Sequence, residues 1–206
     1  MTGAQRPLAR LLALGAAALC LSGCVSLLPK SKPAQLYRFG QSAAAAPATA
    51  APRTVGVFRT TGSFEEAAAD DRILTVTGGR AAFIAESRWV APASVLFDEA
   101  VTNAFDAAPG KVRLLARGQQ GRFAYALRLD VRQFETVYPS PDAAPTVVVR
   151  LHAALSRADQ TNAGEQDFEA QVPAGDNRVS AIAAAYDKAV GDVLAKLTAW
   201  TNATAQ

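Results

Sequence analysis

Residues 122–131 constrain the fold more than any other stretch of this chain. Phe123, Tyr125, Leu127, Leu129 and Val131 fall on one side of an extended backbone, and Arg122, Ala124, Ala126, Arg128 and Asp130 on the other. A repeat of two is the signature of a strand with one buried face, and a slip of one residue would expose the whole apolar set. Val147, Val149, Leu151, Ala153 and Leu155 repeat the pattern. Phe168, Ala170 and Val172 make a third, shorter strand after a polar turn around Asn162-Ala163-Gly164. Tyr138-Pro139-Ser140-Pro141-Asp142 is a loop between the first two. The three strands are expected to form an antiparallel meander.

Such a sheet needs a cover for its apolar face. The chain ends in a helical stripe of Val179, Ile182, Ala183, Tyr186, Ala189, Val190, Val193, Leu197 and Trp200, at spacings of three, four and seven. Asp176 or Asn177 is expected to cap it. A second helix is expected from Ala93 to Ala107, after Pro92 and before Pro109-Gly110, with Phe97, Val101, Ala104 and Phe105 inward. Leu36-Tyr37-Arg38-Phe39 reads as an edge strand and Thr54-Val55-Gly56-Val57-Phe58 as a further strand. Ile73–Thr77 and Ala81–Ile84 are strands joined by a hairpin at Gly78-Gly79-Arg80, where glycine takes positive φ without strain. Residues 40–52, almost all Ala, Pro, Ser and Thr, read as a loop. The expectation is an α/β fold: a mixed, mainly antiparallel sheet with two long helices packed on it as a layered sandwich.

The first 24 residues follow different rules. Arg6 and Arg10 precede an uncharged apolar run from Leu11 to Leu21, a basic region and hydrophobic region of signal-peptide length. A spanning helix needs about 20 apolar residues, so the run is short for a permanent span. Leu21-Ser22-Gly23-Cys24 resembles the lipobox of bacterial lipoproteins: an aliphatic residue, two small ones, then the cysteine whose thiol takes a diacylglyceryl group. Cys20 is a poor competitor because bulky Leu19 precedes it. An ordinary secretory leader with a small-x-small site is the alternative, with Cys24 a bystander. The division read from this is a signal peptide over 1–23, a lipidated terminus and solvated tether over 24–35, and a folded domain over 36–203. Val25 is not the aspartate that retains enterobacterial lipoproteins in the inner membrane, so the expected address is the periplasmic face of the outer membrane.

The composition argues against several functions. Both cysteines, Cys20 and Cys24, lie near the start, so no intrachain disulfide can brace the domain. The formal charge is +3, and loss of residues 1–23 leaves 19 basic against 18 acidic residues. A neutral mature chain disfavours nucleic acid. One histidine, His152, cannot build a His-Glu-x-x-His zinc site, and no Gly-x-Ser-x-Gly accompanies it. It could act as a general base, but we read it as a surface residue. Gly118-Gln119-Gln120-Gly121 lacks the lysine of a phosphate loop and reads as a turn. Glu65-Glu66 and Asp70-Asp71 could bind calcium or act as acid and base, and are read as a solvated loop. Trp89 and Trp200 could line a lipid groove, and are assigned to the core. No cofactor or metal is expected.

The order of these features resembles the ABC-type transport auxiliary lipoprotein family. The resemblance is carried by the lipobox, Leu36-Tyr37-Arg38-Phe39, Asp71-Arg72-Ile73-Leu74 and Glu86-Ser87-Arg88-Trp89-Val90-Ala91-Pro92. It continues through Tyr125-Ala126-Leu127-Arg128-Leu129, Phe134-Glu135 and the alanine-rich helix ending in Trp200. The resemblance implies a mixed α/β sandwich without catalytic residues. It implies a non-enzymatic role beside a Mce-type lipid transport system, whose partners would be the periplasmic Mce protein that carries phospholipid and its ABC permease and ATPase. A lipoprotein regulator of another envelope machine, such as a cell-wall synthase, is the competing reading, and a homo-oligomer is compatible with both. Asp71-Arg72 and Arg88-Trp89 are read as an ion pair and core plug, with a partner surface as the alternative.

Overall fold

The computed structural model describes residues 33–41, 52–115, 119 and 121–206. Everything below concerns the unit Ala34–Gln206. Its strands are β1 (Gln35–Tyr37), β2 (Val55–Arg59), β3 (Arg72–Thr77), β4 (Arg80–Trp89), β5 (Val112–Leu115), β6 (Tyr125–Tyr138), β7 (Thr146–Arg157) and β8 (Asn162–Pro173). The helices are α1 (Ala93–Ala107) and α2 (Val179–Thr204), with one 3₁₀ turn at Glu66–Ala68.

All eight strands join one mixed sheet, and β6 is its spine. Along one edge β6 pairs antiparallel with β7, which pairs antiparallel with β8. Along the other edge β6 holds two strands end to end. Parallel β2 meets Tyr125–Leu127, and parallel β3 meets Thr136–Tyr138. β2 carries β5 beside it, and β3 carries β4 and then β1. Between β2 and β3 the connecting loop lies against the vacant middle of β6. Thr60 N–H donates to Leu127 O at 3.0 Å, Val131 N–H to Ser63 O at 2.9 Å and Glu65 N–H to Val131 O at 2.9 Å. The spine therefore has no bare edge in this stretch, which matters because unpaired buried backbone groups are costly.

Both helices lie on one face. α2 packs across β7 and β8, and α1 against α2 and β5. The expected α/β layering, with the antiparallel β6–β7–β8 meander under two helices, is the fold observed. Its core centres on aromatics: Phe134 lies 4.8 Å from Tyr186 and 5.2 Å from both Phe39 and Phe64, and Trp89 lies 5.1 Å from Tyr186, between ring centroids. Offset and edge-on pairs of this kind add to the burial of large apolar area. Tyr186 is fully buried, and its hydroxyl and that of Thr136 are hydrogen-bonded at 3.2 Å.

Several local expectations need correction. Phe123 is not inward: it precedes β6, is 43% exposed and stacks on Phe58. The third strand is not short, and Asn162-Ala163-Gly164 is part of it. The turn lies just before, where Gln160 takes φ +67° and Asp159 Oδ1 accepts from Thr161 N–H and Oγ1. The N-cap of α2 is Arg178, without a side-chain cap. Asp176 is instead paired with Arg178, and Asn177 Oδ1 accepts from the Tyr138 hydroxyl. The hairpin turn is Gly78-Gly79 alone, both at positive φ, and Arg80 already belongs to β4. Trp89 is in the core, whereas Trp200 is only half-buried, edge-on to Phe168.

Candidate functional site

Cys24, expected to carry the lipid, and Leu21, Ser22 and Gly23, expected to be recognised by the signal peptidase, lie outside the described residues, as do Cys20, Gly118 and Gln120. Within the folded unit, the Glu65 and Asp71 carboxylates make structural contacts, while the Glu66 and Asp70 side chains are exposed as a solvated loop would have them. The Glu65 carboxylate accepts the Phe134 N–H at 2.6 Å and is half-buried. Burial raises its pKa, the Phe134 hydrogen bond offsets part of that, and neighbouring Glu135 adds to the rise. The carbonyls of Ala69 and Asp70 accept the N–H groups of Ser94 and Ala93, closing the first turn of α1, and Asp71 O accepts from Trp89 N–H. Asp71 pairs with Arg88 at 2.8 and 3.0 Å, while Arg72 lies 3.7 Å over the Phe83 ring. The Asp71–Arg88 pair thus borders the Trp89 plug, as the structural reading of these residues requires.

The face of the sheet away from the helices is a lattice of charges. His152 is not fully at the surface: its side chain is 16% exposed, and Nδ1 lies 2.9 Å from Asp167 Oδ1. Asp167 also receives Arg132 at 3.0 Å, and Glu169 receives Arg150 at 2.8 Å. Asp130 accepts from Ser63 N–H and Oγ, both at 2.8 Å, and from Arg128. Burial opposes its ionisation, but the Ser63 hydrogen bonds and the Arg128 charge outweigh that and hold its carboxyl below the ordinary 3.8. His152 and Asp167 are register partners on β7 and β8, and with Arg132 they form a cross-strand polar network. Among the described residues no group of three His, Cys, Asp or Glu side chains could hold a metal ion.

The helix layer offers a different surface. A groove of about 410 Å³ runs between α1 and α2, lined by Ala100 and Ala104 from one helix and Val190, Gly191, Leu194 and Ala195 from the other. Gly40 closes one end, where an added Cβ would sit 2.7 Å from that of Ala100. Asp187 is the one ionisable residue of its lining, and its Oδ1 accepts from Gln41 N–H at 2.7 Å. Apart from Asp187, such a lining offers mainly van der Waals contact. Sequence reasoning missed the groove because its walls are alanine and glycine, which read only as ordinary helix formers or spacers. Among the described residues, no helix is long and apolar enough to cross a membrane.

No curated protein matches the chain. Among solved structures it is similar to protein XCC0632 from Xanthomonas campestris, of the DUF330 family, at 26% identity and a TM-score of 0.71, over 83% of this chain and 96% of that one. A second, uncharacterized protein shares the fold at 10% identity and a TM-score of 0.62, over 84% of this chain and 98% of that one. A family model described as the ABC-type transport auxiliary lipoprotein component matches residues 37–198, which span the domain from the first strand into the last turns of α2. The chain belongs to the ABC-type transport auxiliary lipoprotein family.

Proposed function

We propose that this protein is a non-catalytic accessory of a Mce-type phospholipid transport system, held by acyl chains on Cys24 at the periplasmic face of the outer membrane. The family match over residues 37–198 carries this reading. The sequence adds the anchor: the leader would be removed before Cys24, residues 24–35 would form the tether, and residues 36–203 the working domain. Three acyl chains, each contributing about 0.8 kcal/mol per buried CH₂, make such an anchor effectively permanent. The folded unit offers a partner two broad surfaces, a charge-paired sheet face and a largely apolar groove between the helices. The tether of about ten residues reaches ~35 Å at most, so the partner must extend toward the domain.

The test is mild crosslinking in cells followed by purification of the lipoprotein. The expected product contains a Mce-type protein, and deletion of the gene should sensitise cells to detergent through a weakened outer-membrane lipid barrier. Capture of cell-wall synthases alone, with an intact barrier after deletion, would replace this reading with the regulatory one.

A further inference from the structure

The arginines on the open face of the sheet differ in what they meet. Arg128, Arg132 and Arg150 each meet a carboxylate, Asp130, Asp167 and Glu169 respectively, at 2.8–3.1 Å. Arg113 and Arg122 are exposed and meet no carboxylate among the described residues. Arg113 lies on this face because its neighbours Val112 and Leu114 are buried in the core and its register partner is Gly56. Arg122 is there because the chain leading into β6 crosses over Gly56. A Cβ at Gly56 would lie 2.3 Å from Arg122 O and 3.1 Å from Phe123 Cα. The same crossing sets the exposed Phe123 ring 5.3 Å from that of Phe58, which alternates outward from buried Val57. One corner of the sheet therefore presents two aromatic rings beside two uncompensated guanidinium groups.

We infer that this corner is the docking surface for a partner protein, and that it receives an acidic segment bearing an apolar anchor. The inference rests on the accessory reading above and names the surface it uses. Charge complementarity sets the sign: Arg128, Arg132 and Arg150 are answered by carboxylates within the chain and Arg72 rests on the Phe83 ring, whereas Arg113 and Arg122 meet neither. Arginine forks bind carboxylates in a fixed geometry, and exposed aromatics are frequent anchors of interfaces. Position points the same way. The chain reaches the domain at β1, in the half of the sheet built on β3, whereas Phe123 belongs to the half built on β2. The two attachments are about ten residues apart along β6, ~35 Å at about 3.3 Å per residue. The corner is thus remote from the point at which the chain enters the domain.

The experiment uses the full lipidated chain with a photoreactive phenylalanine analogue at position 123, and separately at Lys188 on the exposed side of α2, irradiated in cells. The expected adduct at position 123 contains the Mce-type protein, and position 188 gives none. With the two purified proteins, Arg113→Glu/Arg122→Glu should weaken binding by about tenfold or more and flatten its salt dependence, while Arg150→Ala changes little. A Mce-type adduct from position 188 but not from 123 would overturn the surface and leave the accessory reading standing. Phospholipid at position 123 would show a membrane-facing corner, and an adduct to a second copy would show a self-interface. Either overturns the proposal. No Mce-type adduct from any position would remove the accessory reading and this surface together.

Discussion

Leu129 and Arg128 are adjacent on β6 and face opposite environments. Leu129 is 3% exposed under the helices, while the Arg128 side chain is 59% exposed beside Asp130. Leu129→Ala should cost ~2–5 kcal/mol through lost transfer energy and an unfilled cavity. Arg128→Ala removes an ion pair whose arginine is exposed, leaves Asp130 its Ser63 hydrogen bonds, and should cost ~0–1 kcal/mol. Equal costs by chemical denaturation would mean that the register is wrong. Asp130 allows a test by pH. Its folded-state pKa lies below the ordinary 3.8, so its ionised form stabilises the fold above that value. The contribution disappears as pH falls through the folded value, below about pH 4. The stability gap between the native protein and Asp130→Asn should therefore be wide at neutral pH and narrow on acidification. A gap of constant width would show that the Ser63 hydrogen bonds do not depend on the charge. The inward set from Tyr125 to Val131 was legible because alternation reports burial directly. Phe123 was not, because the same alternation continues past the end of the strand, where the chain crosses Gly56.

At the scale of elements, the alternation on β6 stops at Val131 because of a bulge. The register moves from Val131↔Leu151 to Gln133↔Arg150, leaving Arg132 unopposed. The inward positions change parity there, and Phe134 takes its place at the centre of the aromatic core. A period-two reading ends where the period shifts, so half of the longest strand was hidden in the sequence. β5 escaped notice for another reason: Leu114 and Leu115 are both buried, so its four residues show no clean alternation. The loop between β2 and β3 yields its own prediction. Gly62 has no room for a side chain, since a Cβ would lie 1.8 Å from Leu129 O. Gly62→Ala must push the loop off the β6 edge and should cost at least ~1–3 kcal/mol, as overpacking does. Amide exchange at Val131, which donates to Ser63 O, should rise in the same variant. Unchanged exchange there would show that the loop does not seal the edge.

For the whole molecule, the layered architecture followed from counting faces, since one-sided strands and two one-sided helices have few ways to combine. The path of the sheet did not follow, because parallel partners such as β2 and β6 are far apart in sequence and share no local signal. The groove and the open corner are likewise products of tertiary placement. The anchor is tested on the intact protein: whole-protein mass should show loss of residues 1–23 and added acyl mass, and Cys24→Ala should leave the membrane fraction. Acylation persisting in that variant would exclude Cys24 as the attachment site. The central position of β6 also bears on how the domain forms. β6 joins strands that begin at Val55, Arg72 and Thr146, and the helix that covers β7 and β8 comes last. Contacts so far apart in sequence make folding slow, because long loops must close before any pairing is rewarded. A chain threaded through a membrane pore from its N-terminus would have β1–β5 outside with no spine to join. The β2–β5 pair and the β1–β4–β3 group have no strand in common until β6 is in place, so strand order itself sets the earliest point, residue 138, at which the two halves of the sheet can be joined.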